Sequence, residues 1–423
     1  MASWGFAAPD AMPIGLARAI AKQRGWKPHP QKSCPKTLRA RFPFCSLFPL
    51  RIAVFKARNP SRRIRLATCR GRRHNAAMPS RLNTVTLGRT GIQVPQNGFG
   101  ALPLQRIPEA DAVRLLRRAF DGGMRYFDTA RAYSDSEEKL GKAFAGGLRD
   151  RLVLATKTMA KTPAAFRADL DESLRRLRTD RIDVYQFHCA PRCWRPGDGS
   201  GMHEAMEKAR AAGKIRFIGL TAHLLSVAEE CVASGLYDTL QFPFSHLATD
   251  RESALVRSCA AADVGFVAMK GLAGGLLTRH DVAMAFVSRF PNVLPIWGIQ
   301  REKELDQWLS CMAAPPAWTP ERAAAAERDR KELAGSFCRG CGYCMPCPAG
   351  IQINNCARTS LLLRRAPSRT WLAPEWQAEM AKIEHCTRCG RCAARCPYGL
   401  DTPALLRANL ADYRRVLAGE VQT

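Results

Sequence analysis

The sequence predicts an α/β chain: a (β/α)8 TIM barrel followed by a small α-helical, cysteine-rich domain. Three observations carry this. Eight short apolar runs alternate with helical stretches between residues 96 and 298. Several of those stretches close on glycine, a natural helix stop. Nine of the 17 cysteines fall between Cys338 and Cys396.

The eight runs read NGFGA, RYFDT, LVLATK, DVYQFH, RFIGLT, TLQFPF, GFVAMK and VLPIWG. Between them lie amphipathic segments. EADAVRLLRRAF sets Ala112, Leu115, Leu116, Ala119 and Phe120 on one face and ends at Gly122–Gly123. EAMEKARAAGK and LLSVAEECVASG end on glycine in the same way. Eight strand–helix alternations of this size predict the barrel. LNTVTLGRTGIQV, ahead of the first run, predicts a hairpin turning at Gly88–Arg89 and plugging one end.

The chain is long enough for two or three domains. We expect a basic extension over 1–80, the barrel over 81–312, a linker and helix over 313–335, and the cysteine-rich domain over 336–419. The formal charge of +28 would suggest nucleic acid, but its distribution argues otherwise. Seventeen of the 65 basic residues and one of the 37 acids lie in residues 1–77. The remainder then carries 48 against 36, or +12. Residues 1–77 lack any sustained period and read as disordered. A secretory signal would need an uninterrupted apolar core, and FPFCSLFPLRIAVF is broken by Pro43, Pro49 and Arg51. A transit peptide fits the scarcity of acids but not the lack of serine and amphipathicity. A start at Met78 is the simplest alternative. No apolar run is long enough to span a bilayer, and no nucleic-acid motif is present.

HCTRCGRCAARCPYG places Cys386, Cys389, Cys392 and Cys396 in a C-x2-C-x2-C-x3-C-P run. That is the spacing of bacterial cubane ferredoxins, whose fourth cysteine ligates the other cluster. FCRGCGYCMPCPAG supplies Cys338, Cys341, Cys344 and Cys347, with a last gap of two instead of three. The pair reads as two [4Fe–4S] clusters with exchanged fourth ligands: Cys338, Cys341, Cys344 and Cys396 for one, Cys386, Cys389, Cys392 and Cys347 for the other. Two four-cysteine zinc sites are the alternative. Zinc more often takes two C-x-x-C pairs across a longer loop, and these sets are too crowded for that. Cys356 lies outside both sets and reads as a buried small apolar residue. TSLLLRRA, PEWQAEMAKIEH and ALLRANLADYRRVLAG have helical composition. The whole resembles the helical ferredoxin module. In the linker, Thr319 and Pro320 start a helix as N-cap and first turn.

Chemistry in such barrels sits at the C-terminal strand ends. Asp128 ends the second run, Lys157 the third and His188 the fourth, and Tyr133 follows five residues after Asp128. Each alone has a bland reading as a cap, a solvated lysine, a core histidine or a packing tyrosine. Their concentration at one end does not.

YFDTARAY, LATKT and YQFH, supported by LGRTGIQVPQNGFGA, GKIRFIGLTAH and EEKLGKAF, resemble the aldo/keto reductase family over roughly residues 81–312. The cysteine-rich end resembles that of a family branch with a C-terminal 4Fe–4S domain. The resemblance implies a catalytic tetrad of Asp128, Tyr133, Lys157 and His188. Tyr133 would donate the proton, Lys157 lower its pKa, Asp128 hold Lys157, and His188 orient the carbonyl. It implies NADP(H) as cofactor, with NAD(H) as the alternative, and a small carbonyl or alcohol substrate. Gln241 would bind the carboxamide and Phe244 stack on the nicotinamide, with Thr221, Lys270, Gly298 and Arg301 completing the cofactor set. Gly298 precedes a helix start suited to phosphate. Arg301 and Lys303 offer charge for a 2′-phosphate, and Glu302 between them opposes it. Thr221–Ala222 stand where the family usually has Ser-Asn, and the connection between the last two strands looks short.

Two functions follow. The first is an NADP-dependent reductase with an appended two-cluster module. The second is an electron-transfer protein, serving a one-electron partner, whose barrel is mainly a docking scaffold. Hydride carries two electrons and a cluster takes one. A flavin normally bridges that difference, and no clear flavin signature is present. Cluster thiols point to a reducing compartment, hence the cytoplasm.

Overall fold

The computed structural model describes residues 83–333, 337–365, 368–396 and 398–421. The basic extension therefore lies outside the described residues. Strands β1 (Thr84–Thr86) and β2 (Gln93–Pro95) pair antiparallel as the expected hairpin. Eight parallel strands then close into a barrel: β3 (Gly98–Gly100), β4 (Tyr126–Asp128), β5 (Val153–Thr158), β6 (Ile182–Phe187), β7 (Ile215–Thr221), β8 (Thr239–Pro243), β9 (Gly265–Met269) and β10 (Val293–Gly298). β10 pairs with β3, which completes the circle. All eight apolar runs became these strands. Continuous apolar runs suit strands covered on both faces.

The helix Glu109–Asp121 buries the five residues read as its apolar face and is capped at Gly122. Met202–Ala211 and Leu225–Ser234 end next to glycine as expected. Two apolar layers result. An outer layer fills the space between strands and helices, and holds Phe99, Phe127, Phe166, Phe187 and Phe266. An inner layer packs the hairpin residues Val85, Leu87 and Val94 against Tyr126, Val184 and Leu294, so the hairpin closes the end opposite the strand C-termini. Trp297 of β10 stacks on Trp308 of the helix Glu302–Ala313, ring centroids 3.8 Å apart. Between β9 and β10 there is a single short helix, His280–Val287.

The helix Pro320–Glu332 begins on its Thr319 cap, whose hydroxyl accepts from the Arg322 amide. It packs Ala325 and Ala326 on Val282. Beyond it lie the helices Ile353–Cys356, Thr359–Arg365, Pro374–Ala381, Arg391–Ala394 and Thr402–Leu417. Their core is small: Ile351, Ile353, Cys356, Met380, Leu406 and Tyr413, together with cysteines of both sets. Leu276, Leu277, Leu333, Phe337 and Leu362 form a separate cluster where this module meets the barrel. Arg365 Nε donates to the Leu276 carbonyl (2.6 Å) across the same seam. No helix among the described residues is long and apolar enough to cross a membrane.

Candidate active site and cluster-binding module

Strand register brings the polar strand ends to one rim. Asp128 lies opposite Ala155, Lys157 opposite Gln186, and Thr221 opposite Gln241. Lys157 Nζ donates to Asp128 Oδ1 at 2.5 Å and to the Thr129 carbonyl at 2.6 Å. Both charged side chains are almost fully buried, at 1% and 3% exposure. Gln186 Nε2 donates to the other Asp128 oxygen at 3.3 Å. Burial still pushes the Asp128 carboxyl above its usual range, with Lys157, Gln186 and Gln241 pulling it back.

Tyr133 reaches the same place from the loop after β4. Its amide donates to the Ala130 carbonyl (3.0 Å), and its carbonyl accepts from the Ser136 amide (2.9 Å). The Arg131 amide bonds the Lys157 carbonyl (3.0 Å), which ties this loop to β5. Below it, buried Glu137 accepts from Thr156 at 2.7 Å and from Arg131 at 3.2 Å. The Tyr133 ring meets His188 edge-on, centroids 5.5 Å apart, and lies 5.4 Å from Lys157 Nζ. The four predicted catalytic residues are thus together.

Burial, aided by Asp128 and Cys189, pushes the Tyr133 phenol well above its ordinary value. The Lys157 charge is paired with Asp128. The phenol is therefore held protonated, the state a proton donor needs. Burial, then the Lys157 charge, pulls His188 down to about 3, so its imidazole is neutral near pH 7.

The cofactor candidates divide. Gln241 sits beside Asp128, and its Oε1 is buried without a partner. Thr221 is buried, and its hydroxyl accepts from the Cys189 amide at 2.7 Å. Phe244 is not brought to the mouth. Its ring packs among Phe266, Phe286 and Phe290 in the outer layer. Gly298 is exposed at the end of β10. Arg301 is exposed and paired with Glu304 at 3.1 Å. The Glu304 carboxylate also takes the amides of Gln300 (2.9 Å) and Arg301 (3.2 Å), so an internal carboxylate sits just ahead of the helix start read as a phosphate site. Lys270 is committed elsewhere: its Nζ donates to the carbonyls of Gly340 (3.2 Å) and Arg339 (3.4 Å), in the first cysteine loop.

That loop overlies the barrel mouth. Cys189 Sγ lies 3.8 Å from His223 Nδ1, and the His223 ring meets Tyr343 edge-on at 5.3 Å. Burial, Lys270 and His188 together hold the His223 imidazole well below its ordinary value. His188 Nδ1, His223 Nε2 and Gln241 Oε1 are buried without partners. Gln186, His223 and Tyr343 were not foreseen. Gln186 lies two residues before His188, hence on the same strand face, and His223 follows a strand end. Nothing local singles out Tyr343.

The cysteines line two adjoining cavities. One is bordered by Cys338, Cys341, Cys344 and Cys396. The other is bordered by Cys347, Cys386, Cys389 and Cys392, with Cys344 between the two. Among the described residues no three His, Cys, Asp or Glu side chains converge on a single-ion site. Four soft thiols around a cavity fit a cube better than one zinc ion. Cys356 lines neither cavity and is fully buried, as expected.

Comparison with known proteins agrees with this architecture. The profile of the Aldo/keto reductase family matches residues 96–314, and that of the 4Fe-4S dicluster domain matches residues 337–401. The uncharacterized oxidoreductase YrpG of Bacillus subtilis is 33% identical over 221 residues, 45% of this chain and 67% of its own length. L-galactose dehydrogenase of Arabidopsis thaliana is 31% identical over 213 residues, 46% of this chain and 66% of its own. The chain thus spans about two thirds of each relative. A crystal structure of an aldo-keto reductase from Klebsiella pneumoniae in complex with NADPH is 28% identical, with a TM-score of 0.50, covering 58% of this chain and 94% of that one. An aldo-keto reductase from Bacillus halodurans, in its holo form, shares the fold at 21% identity and a TM-score of 0.52, covering 59% of this chain and 96% of that one. The chain belongs to the aldo/keto reductase family and is an oxidoreductase of that family with a 4Fe-4S dicluster domain at its C-terminal end.

Proposed function

We propose that the barrel interconverts a small carbonyl compound and its alcohol by hydride transfer with NADP(H), and that the C-terminal module holds two [4Fe–4S] clusters. The observation that carries the first part is the buried Lys157–Asp128 pair beneath Tyr133 and His188. Bound NADPH supplies the hydride. In reduction Tyr133 Oη would give the carbonyl oxygen its proton as the carbon accepts hydride from the bound nucleotide. Neutral His188 can donate a hydrogen bond to the same oxygen as its negative charge develops. The Lys157–Asp128 pair fixes the floor under the phenol. Gln241 and Thr221 would hold the carboxamide, and the unpartnered Gln241 oxygen supports this. The NADPH complex of the Klebsiella pneumoniae relative supports the choice of dinucleotide. NAD(H) is the alternative, since Arg301 is ion-paired and Lys270 is turned to the cysteine loop.

The two cavities support the exchanged ligand sets: Cys338, Cys341, Cys344 and Cys396 for the first cluster, Cys386, Cys389, Cys392 and Cys347 for the second. Such clusters supply one-electron capacity. The second reading, an electron-transfer protein with the barrel as scaffold, gains support from one feature: the first cysteine loop lies on the barrel mouth through Tyr343 and Lys270. A one-electron partner and a reducing, cytoplasmic setting fit either reading. We assign no flavin.

Tyr133→Phe tests the reductase reading. It should retain NADPH binding, followed by fluorescence titration, and lose carbonyl reduction by about 10²-fold or more. Turnover equal to the parent's would remove Tyr133 from the chemistry.

A further inference from the structure

Two cations are enclosed against the ligands of the first cavity. Lys270, at the C-terminal end of β9, places Nζ on two carbonyls of the segment between Cys338 and Cys341. Arg358 is 9% exposed and enters from the module side. Its Nη1 donates to the Ala273 carbonyl at 3.4 Å, and its Nε is buried without a partner. The cysteine loop is closely fitted over it. Gly340 has φ +62°, and a Cβ there would stand 2.8 Å from Arg358 Cζ.

The nearest groups of opposite charge character are thiols. Lys270 faces Cys341, Cys189 and Cys338, and Arg358 faces Cys338. Neither cation has a carboxylate partner among the described residues. The other enclosed lysines differ: Lys157 has Asp128 and Lys139 has Asp135. Withdrawing a cation from water without a counter-charge is unfavourable. An anion between the two would remove that penalty, and a thiolate-ligated cluster is one. The second cavity has no such pair. Its bordering cations, Arg388 and Arg391, are exposed and therefore screened by solvent.

We propose that Lys270 and Arg358 are the charge-compensating pair of the first cluster, raising its reduction potential and coupling it to the barrel. The inference rests on the cysteine sets holding two clusters. A thiolate-ligated cluster gains one negative charge on reduction. Adjacent cations in a poorly hydrated site favour the reduced form, and hydrogen bonding and charge are recognised determinants of cluster potential. Lys270 directly follows β9, so displacement of the barrel mouth would move a charge relative to the cluster.

The experiment uses the full chain, prepared anaerobically. Iron and labile sulfide are counted first. Midpoint potentials are then measured by redox titration followed by electron paramagnetic resonance. Lys270→Met and Arg358→Met should each lower the potential of the same cluster, shifting its oxidised-to-reduced ratio about tenfold, which is 59 mV for one electron. The other cluster should not move. Lys270→Arg should restore the parent value. If Lys270→Met cannot retain its first cluster, Lys270→Arg decides: retention at the parent potential supports the proposal, and loss there too overturns it. Full loading with unmoved potentials, or equal shifts in both clusters, overturns the proposal alone. Absence of iron and sulfide from the parent protein overturns the cluster reading along with it.

Discussion

Lys157→Met isolates what the buried ion pair contributes. The substitution leaves Asp128 at 2% exposure with its cation gone. The carboxylate retains only the 3.3 Å bond from Gln186 and its neighbour Gln241. Removing one partner of a buried pair typically costs about 3–5 kcal/mol. A second limit comes from protonation. Asp128 is already pushed upward by burial, so without Lys157 it can escape by taking a proton. At pH 7, protonating a group with a reference pKa of about 3.9 costs about 4 kcal/mol, and at pH 5.5 about 2 kcal/mol. The penalty should therefore be about 4 kcal/mol at pH 7 and roughly half that at pH 5.5. The sign follows from linkage. The folded variant binds a proton that the unfolded chain releases, so its relative stability falls as pH rises. Urea unfolding in anaerobic reducing buffer, followed by the fluorescence of the stacked Trp297 and Trp308, measures the difference. Asp128→Asn provides the control, since Lys157→Met in that background should be cheaper and nearly independent of pH. A penalty below about 1 kcal/mol, or one unchanged between the two pH values, would refute the reasoning.

Two other predictions concern the module and the mouth. Cys356→Ala should retain the parent's iron and sulfide content, whereas Cys389→Ser, at the exposed edge of the second cavity, should lose iron; equal loss from both would place Cys356 among the ligands. His188 is held neutral down to about pH 3, so below pH 6.5 the unfolded chain binds a proton that the folded one refuses. Its contribution to stability is present above pH 6.5 and lost on acidification, at up to about 1.4 kcal/mol per pH unit. His188→Gln should flatten the stability profile between pH 6.5 and 5 by that amount, and a slope identical to the parent's would count against a buried neutral imidazole.

The strands were legible because each is a short apolar run between glycine-closed helices, and one run admits few other structures. The tetrad was legible for a related reason. A barrel places every strand end on one rim, so linear position translates into spatial proximity. The errors arose where that translation fails. β8 points Gln241 into the barrel, and strand alternation then sends Phe242 and Phe244 outward. Phe244 could have been excluded by counting from Gln241. The helix start after Gly298 carried its own warning, a glutamate three residues beyond Arg301, the spacing at which a side chain folds back onto its own helix N-terminus. Glu304 does this, and it takes the amides of Gln300 and Arg301 just ahead of the helix. Lys270 is a different case. Its strand-end position made it a cofactor candidate, yet its partners lie about seventy residues away in a loop whose fitted position no local pattern encodes. The same holds for Tyr343 over His223 and for Arg358 under Gly340. Local chemistry therefore identifies each domain's own apparatus, whereas what joins them depends on packing at distant sequence positions. A barrel side chain with nothing to bond within its own domain, as Lys270 has once Arg339 and Gly340 are set aside, is the signal to seek in other chains of this architecture.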